Sequence, residues 1–247
     1  MKRITGINQL AVMALAATVV LWGGASSAAT VELISNGGFE TGDFTSWTVG
    51  GFSGGQSEFQ VDNDGTTNLS GQSTVGPSSG SFYAVTDQTG GGHNAIIQTV
   101  TIPTTFVSII LSFDMFVNDL SGVGPIFGPG LDFTGGPNQH ARVDIMDPMA
   151  GAFDTGAGVV SNLYAGVDAG PLPNGWTSYS FDLTALLTGG SDYAIRFAQV
   201  DNQFFFNLGV DNVSLEVETS PIPEPATLSL LGLGLAGLAA RRKLIAA

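Results

Sequence analysis

Residues 107–118 alternate with a period of two. The odd positions are Val107, Ile109, Leu111, Phe113, Met115 and Val117, and the even ones are Ser108, Ile110, Ser112, Asp114, Phe116 and Asn118. Alternation sustained this long predicts a β-strand with one face in a core. Val213, Leu215 and Val217 alternate with Ser214, Glu216 and Glu218 in the same way. Further strand-like runs are 81–86, 95–102, 141–146, 176–183 and 193–200. They are separated by Gly/Pro/Asn/Asp clusters at 89–94, 121–138 and 168–175. No stretch between residues 30 and 220 keeps a helical period, apart from a turn at 183–187. Short strands punctuated by turns predict an all-β, antiparallel sandwich over 30–220, with Ile109, Leu111, Phe113, Val213 and Leu215 inside. The Gly/Pro-rich loop 121–138 is long enough to be either functional or disordered.

Charge narrows the partners of this segment. Between residues 30 and 220 only Arg142 and Arg196 are cationic, against twenty carboxylates, and there is no lysine. Such a surface repels phosphate backbones, which excludes nucleic acid as a partner. Hydrophobic residues make up 43% of the chain, enough for a core, so the acidity is not that of a disordered tail. There are no cysteines, hence no disulfide and no thiolate metal site.

The two ends read differently. Lys2 and Arg3 precede an apolar run from Leu10 to Trp22 and then the small residues 23–29. That order is that of a secretory signal peptide, residues 1–29, cleaved near Ala28 or Ala29. At the other end, residues 221–247 carry Pro223-Glu224-Pro225, a glycine-containing apolar run over 226–240, and the basic trio Arg241, Arg242 and Lys243. Fifteen residues at about 1.5 Å each only approach a hydrocarbon core of about 30 Å, so the span is short. The basic trio acts as a membrane stop on the cytoplasmic side. This tail resembles the PEP-CTERM sorting signal, also labelled the ice-binding protein C-terminal domain. The resemblance implies an exosortase-type processing enzyme as partner and a short transmembrane helix that anchors the chain in the inner membrane before processing. It also implies a Gram-negative bacterium that makes extracellular polysaccharide. No Thr-x-Thr ladder supports ice binding by residues 30–220.

A second resemblance rests on Asn36-Gly-Gly-Phe-Glu-Thr-Gly-Asp-Phe-Thr-Ser-Trp47 and Leu208-Gly-Val-Asp-Asn-Val-Ser-Leu215. The pair is similar to the jelly-roll domains called galactose-binding-like, which include carbohydrate-binding modules. The resemblance implies adjacent first and last strands pinned by a structural Ca2+. Its ligands would be the Gly38 carbonyl, the Glu40 and Asp211 carboxylates and a carbonyl near Ser81, a donor set of the type calcium prefers. Some relatives supply another acid where this chain has Ser78. The alternative is that Glu40 and Asp211 only accept hydrogen bonds from turns.

Other motifs carry less. Gly76-Pro-Ser-Ser-Gly80 matches a nucleophile elbow, but a strand follows it where that motif needs a helix. His93 and His140 read as lone surface histidines without the partners a catalytic base or zinc site needs. Asp62-Asn-Asp-Gly65 reads as a turn rather than a calcium loop. Asp144, Asp147 and Asp154 are candidate paired carboxylates for glycoside hydrolysis, a chemistry that depends on separations sequence does not give. Trp47 and Trp176 are assigned to the core, whereas Tyr164, Phe204, Phe205 and Phe206 are candidate sugar-stacking residues. The expected function is a non-enzymatic, exported cell-surface or matrix protein that associates with extracellular polysaccharide and biofilm. The alternatives are an extracellular polysaccharide hydrolase and a purely structural envelope protein.

Overall fold

A computed structural model describes residues 28–51, 56–167 and 172–219, with 232, 234, 235 and 238 in addition. Residues 1–27 of the expected signal peptide, the Pro223-Glu224-Pro225 motif and Arg241, Arg242 and Lys243 lie outside the described residues. The chain divides into two units, Ala28–Ser220 and the two ends, Met1–Ser27 with Pro221–Ala247. Of the second unit, Gly232, Gly234, Leu235 and Leu238 are helical. Among the described residues no helix is long and apolar enough to cross a membrane.

The unit Ala28–Ser220 is built from β1 (Thr30–Glu32), β2 (Thr48–Gly51), β3 (Ser57–Asp62), β4 (Tyr83–Gln88), β5 (Gly92–Thr101), β6 (Ser108–Asp119), β7 (Gln139–Met146), β8 (Val159–Gly166), β9 (Thr177–Asp182), β10 (Asp192–Asp201) and β11 (Phe206–Glu218). One sheet has the order β3-β4-β11-β6-β9, with β1 also on β11, and the other has the order β2-β5-β10-β7-β8. All pairings are antiparallel. The first and last strands lie side by side, with Val31 opposite Val217.

The alternation decides what lies between the sheets. Ile109, Leu111, Phe113, Met115 and Val117 of β6 meet Val213, Leu215 and Val217 of β11 and Ile195 and Phe197 of β10 in one core, and Trp47 joins them. Phe113 packs edge-on against Phe197 with ring centroids 5.0 Å apart. Val107 departs from the pattern, because it precedes β6 and is 51% exposed. The turn at 183–187 is present, closed by Leu186 N and Leu187 N donating to the Leu183 carbonyl.

Four strands carry no readable pattern. β1 has three residues, β2 ends in two glycines, β3 is buried on both faces, and β8 is half-exposed along most of its length. Burial also extends beyond the space between the sheets. Tyr83, Val85 and Phe116, on the outer face of the first sheet, form a second apolar cluster against Trp176. Ala95, Ala198 and Val200, on the outer face of the second, pack against Leu131, Phe133 and Phe153 from two loops. Loop 121–138 is therefore an ordered cover. Asn138 anchors it, accepting from Gly128 N and donating to the Gly130 and Asp132 carbonyls, while Asn202 donates to the Phe133 and Gly136 carbonyls.

Under these covers lie polar side chains that the sequence placed at the surface. His140 is a correction: it is 2% exposed beneath the loop, with Phe127 packed on its ring, and burial holds its pKa down to about 4. Arg196 is fully buried opposite Asp144 and donates to it through Nε and Nη2 at 3.1 and 2.6 Å. Its Nη1 holds the carbonyls of Ala152 and Asp154, which fastens loop 147–158 to the sheet.

Candidate functional site

Two regions gather the chemistry. The first joins the chain's opening and closing motifs. Asn36 adopts a positive φ of 53° and its side chain ties the following loop together: Nδ2 donates to the Asp43 and Thr45 carbonyls and Oδ1 accepts from Thr41 N. Trp47 Nε1 closes the same loop on the Asn36 carbonyl at 3.0 Å. Gly37 then lies directly on β11, its carbonyl accepting from Val213 N. This brings Gly38, Glu40, Ser81 and Asp211 into one corner. A Cβ on Gly38 would stand 3.7 Å from Asp211 Oδ1 and 3.7 Å from Glu40 Cγ. Glu40 accepts from Ser81 N at 2.9 Å and Phe82 N at 3.1 Å. Asp211 is fully buried and accepts from Ser78 N, Ser79 N and Asn212 N.

Asp114, which sequence reasoning passed over, belongs to the same corner. It sits directly opposite Asp211 across β6 and β11, at the bulge where the register shifts. Burial works to raise its pKa, but hydrogen bonds donated by Ser178, Asn212 and Ser78 outweigh it, and the carboxyl is held below its ordinary value. Asp211 moves the other way: burial, joined by repulsion from Asp114, lifts it to about 6 despite its three amide donors. Like charges facing one another across a ladder are destabilising unless something neutral or cationic lies between them. Every donor to these carboxylates in the structure is an uncharged amide or hydroxyl. Carboxylates and backbone carbonyls are the oxygens a hard divalent cation takes, so the residues fit Ca2+ in donor type. Among the described residues no group of three or more His, Cys, Asp or Glu side chains stands at metal-binding spacing.

The second region is a cleft of about 210 Å³ where the β4–β5 and β10–β11 loops part, lined by Gln88, Gly90, Gly91, Asp201, Asn202 and Phe204 among others. The inward phase of β10, Ile195 and Phe197, runs on to Gln199 and Asp201, and that of β4 runs from Ala84 to Gln88. Three polar side chains thus lie at core-facing positions. They satisfy one another in a chain. Gln199 Nε2 donates to Gln88 Oε1 at 3.0 Å, and Gln88 Nε2 donates to Asp201 and to the Phe204 carbonyl. Asp201 is fully buried, and desolvation, with a contribution from nearby Asp119, pushes its pKa up to about 6. The signal for Gln88 and Asp201 was present in the sequence as polar residues in phase with a core-facing row.

The aromatic candidates separate. Phe204 is 56% exposed at the cleft, with Phe205 edge-on against it at 4.8 Å. Phe206 is a correction: as the first residue of β11 it is fully buried in the core. Tyr164 is half-buried at the β8 edge, packed on the core and edge-on to Tyr179 at 5.7 Å. The candidate hydrolytic carboxylates serve as anchors. Asp144 is shared by Arg142 and Arg196, Asp147 accepts from Met149 N, and Asp154 accepts from Gly156 N and Gly158 N. Ser78 donates its hydroxyl to Asp114 at 2.7 Å. His93 stacks on Phe153 with centroids 3.7 Å apart, and its Nδ1 lies 2.8 Å from the Leu131 carbonyl.

Residues 221–243 match the PEP-CTERM protein-sorting motif, so the chain carries that signal. No curated protein matches the chain. Similar solved structures include TmCBM61 in complex with beta-1,4-galactotriose, at 14% identity and a TM-score of 0.44 over 75% of this chain and 97% of that one. Another is the K3 cleaved adhesin domain of Lys-gingipain from Porphyromonas gingivalis W83, at 15% identity and a TM-score of 0.48 over 76% and 99%. A third is the enzymatically active domain of the bacteriophage CBA120 tailspike protein 4, at 15% identity and a TM-score of 0.45 over 75% of this chain. The match spans only 21% of the tailspike chain.

Proposed function

We propose that this chain is an exported surface or matrix protein, processed at its tail by an exosortase, whose sandwich binds extracellular polysaccharide without catalysis. The observation that carries the binding assignment is the cleft at Gln88 and Asp201, where a half-exposed Phe204 stands beside buried polar groups. An aromatic face next to a few fixed polar groups is what a sugar ring requires, apolar on one side and hydroxylated at its rim. The sorting motif supports export, and export puts the cleft where secreted glycan is. The carboxylates that could have formed a hydrolytic pair are bound up with arginines and loop amides, and Ser78 donates to Asp114 rather than to a histidine. In the same reading the corner at Glu40 and Asp211 holds a structural Ca2+ through both carboxylates and the carbonyls of Gly38 and Ser81. The ion offsets the facing charges of Asp211 and Asp114.

Binding is tested by titrating the purified sandwich against secreted and commercial polysaccharides. Phe204→Ala should weaken affinity by about tenfold, one stacked ring being worth about 1 kcal/mol or more. The same mixtures are assayed for released reducing ends. Turnover abolished by one Asp→Asn change would establish a hydrolase and end this reading. Saturable binding without turnover supports it.

A further inference from the structure

Accepting the cleft as a glycan site, we infer that it selects sugars bearing a free amine, a hexosamine unit that is not acetylated, over uronic acids and neutral sugars. Three observations point this way. The first is the absence of any cation to meet an acidic sugar. Arg142 and Arg196 are the two cationic side chains between residues 30 and 220, and both are engaged at Asp144. The second is the charge beneath the cleft. Asp201 is fully buried, its partners are the uncharged Gln88 carboxamide and the backbone amides of Gln203 and Asn202, and Asp119 reinforces its field. A carboxylate surrounded by low-dielectric protein projects its potential into the adjoining opening rather than into bulk solvent. An ammonium group supplies the missing counter-charge, whereas a carboxylate would add a like charge. The third is Phe204, whose exposed ring at the same opening attracts a cation on its face and accepts the apolar face of a pyranose. At about 210 Å³ the cleft is smaller than typical drug-sized sites, so one ring is recognised rather than a run of them.

The experiment is isothermal titration of the sandwich at about pH 7 and low ionic strength, where surface charge is least screened. The ligands are a fully deacetylated glucosamine tetramer, its N-acetylated counterpart, tetragalacturonic acid, and spermidine as a cation without a sugar. The amine tetramer should bind about tenfold tighter than the acetylated one through attraction to the buried charge, and the uronate should show no binding. Asp201→Asn should shrink the ratio between the two tetramers to within about twofold, and Phe204→Ala should weaken both. Equal affinity for the two tetramers, or tighter uronate binding, overturns the amine inference while leaving a glycan site in place. A preference that persists in Asp201→Asn, or spermidine binding as tightly as the tetramer, assigns the effect to the acidic surface and also overturns it. If none of the sugars and no polysaccharide binds, the glycan reading itself fails. Should Asp201→Asn not fold, the ranking of the four ligands on the unaltered protein decides alone.

Discussion

Gly37 lies against the β11 bulge, and a Cβ added there would stand 1.8 Å from the Val213 carbonyl oxygen. The obstructing atom is backbone on the longest strand, so neither side can yield cheaply. Gly37→Ala should cost about 2–3 kcal/mol, at the upper end of ordinary overpacking, and lower the melting temperature by roughly 5–10 °C. Asp144 is the other residue whose loss has a definite consequence. It neutralises Arg196, which is fully buried. Asp144→Ala leaves that guanidinium without a counter-charge and should destabilise by about 3–5 kcal/mol in denaturant titration. Asp201 behaves in the opposite sense. Its folded pKa of about 6 lies above the ordinary value of 3.8, so the folded protein holds the proton more tightly than the unfolded chain. Stability from this group is complete at low pH and is lost as pH rises through about 6. Asp201→Asn removes that loss, because the carboxamide carries no charge to desolvate. The melting temperature of the variant relative to the parent should therefore climb between about pH 4 and pH 7. A constant difference across that range would show that Asp201 is not strained by its burial.

At the scale of elements, loop 121–138 behaves as a piece of the fold because three side chains replace the hydrogen bonds a strand would have had. Asn138 and Asn202 hold its carbonyls and amides, and Asp119 accepts from Ser121 N, Gly122 N and Gly124 N at its start. Asn138→Ala leaves several of these groups unpaired beneath the loop, at about 1–3 kcal/mol for each buried group that finds no water. The loop should become a site of rapid proteolysis and fast amide exchange, while exchange in β6, β10 and β11 stays slow. Unchanged protection across 121–138 would mean that Leu131 and Phe133, not Asn138, hold the cover down.

For the molecule as a whole, the excess of carboxylates sets the conditions under which the sandwich is stable. A cation held as proposed at Glu40 and Asp211 would bind only when β11 and the opening loop have met, and would stabilise the folded state by about 2.7 kcal/mol at a hundredfold excess over its dissociation constant. Chelation should lower the melting temperature, and Asp211→Ala should remove most of that sensitivity. Magnesium at equal ionic strength separates a specific ion from general screening of an acidic surface, because its smaller shell demands near-octahedral geometry. No response to chelator, or full recovery in magnesium, would leave Glu40 and Asp211 as caps for the amides of residues 78–82.

The long strands were legible where alternation, a local property, is kept: β6 and the second half of β11 declare their inner faces residue by residue, and burial between the sheets enforces that phase. β10 does not, because it is buried on both faces and turns Gln199 and Asp201 inward. The sorting motif at 221–243 was legible for a similar reason, since such a signal is read as linear order and needs no fold. Which outward faces are covered was not legible. His140, Arg196 and Asp211 occupy the outer side of a strand, where a sequence pattern assigns water. They are buried because loops of glycine, proline and asparagine fold back over the sheets. The pairing of Asp211 with Asp114 and the meeting of Gln88 with Asp201 join residues about a hundred positions apart. Spacing along the chain carries no trace of such contacts; only the packing of two sheets and their covering loops brings those groups within reach.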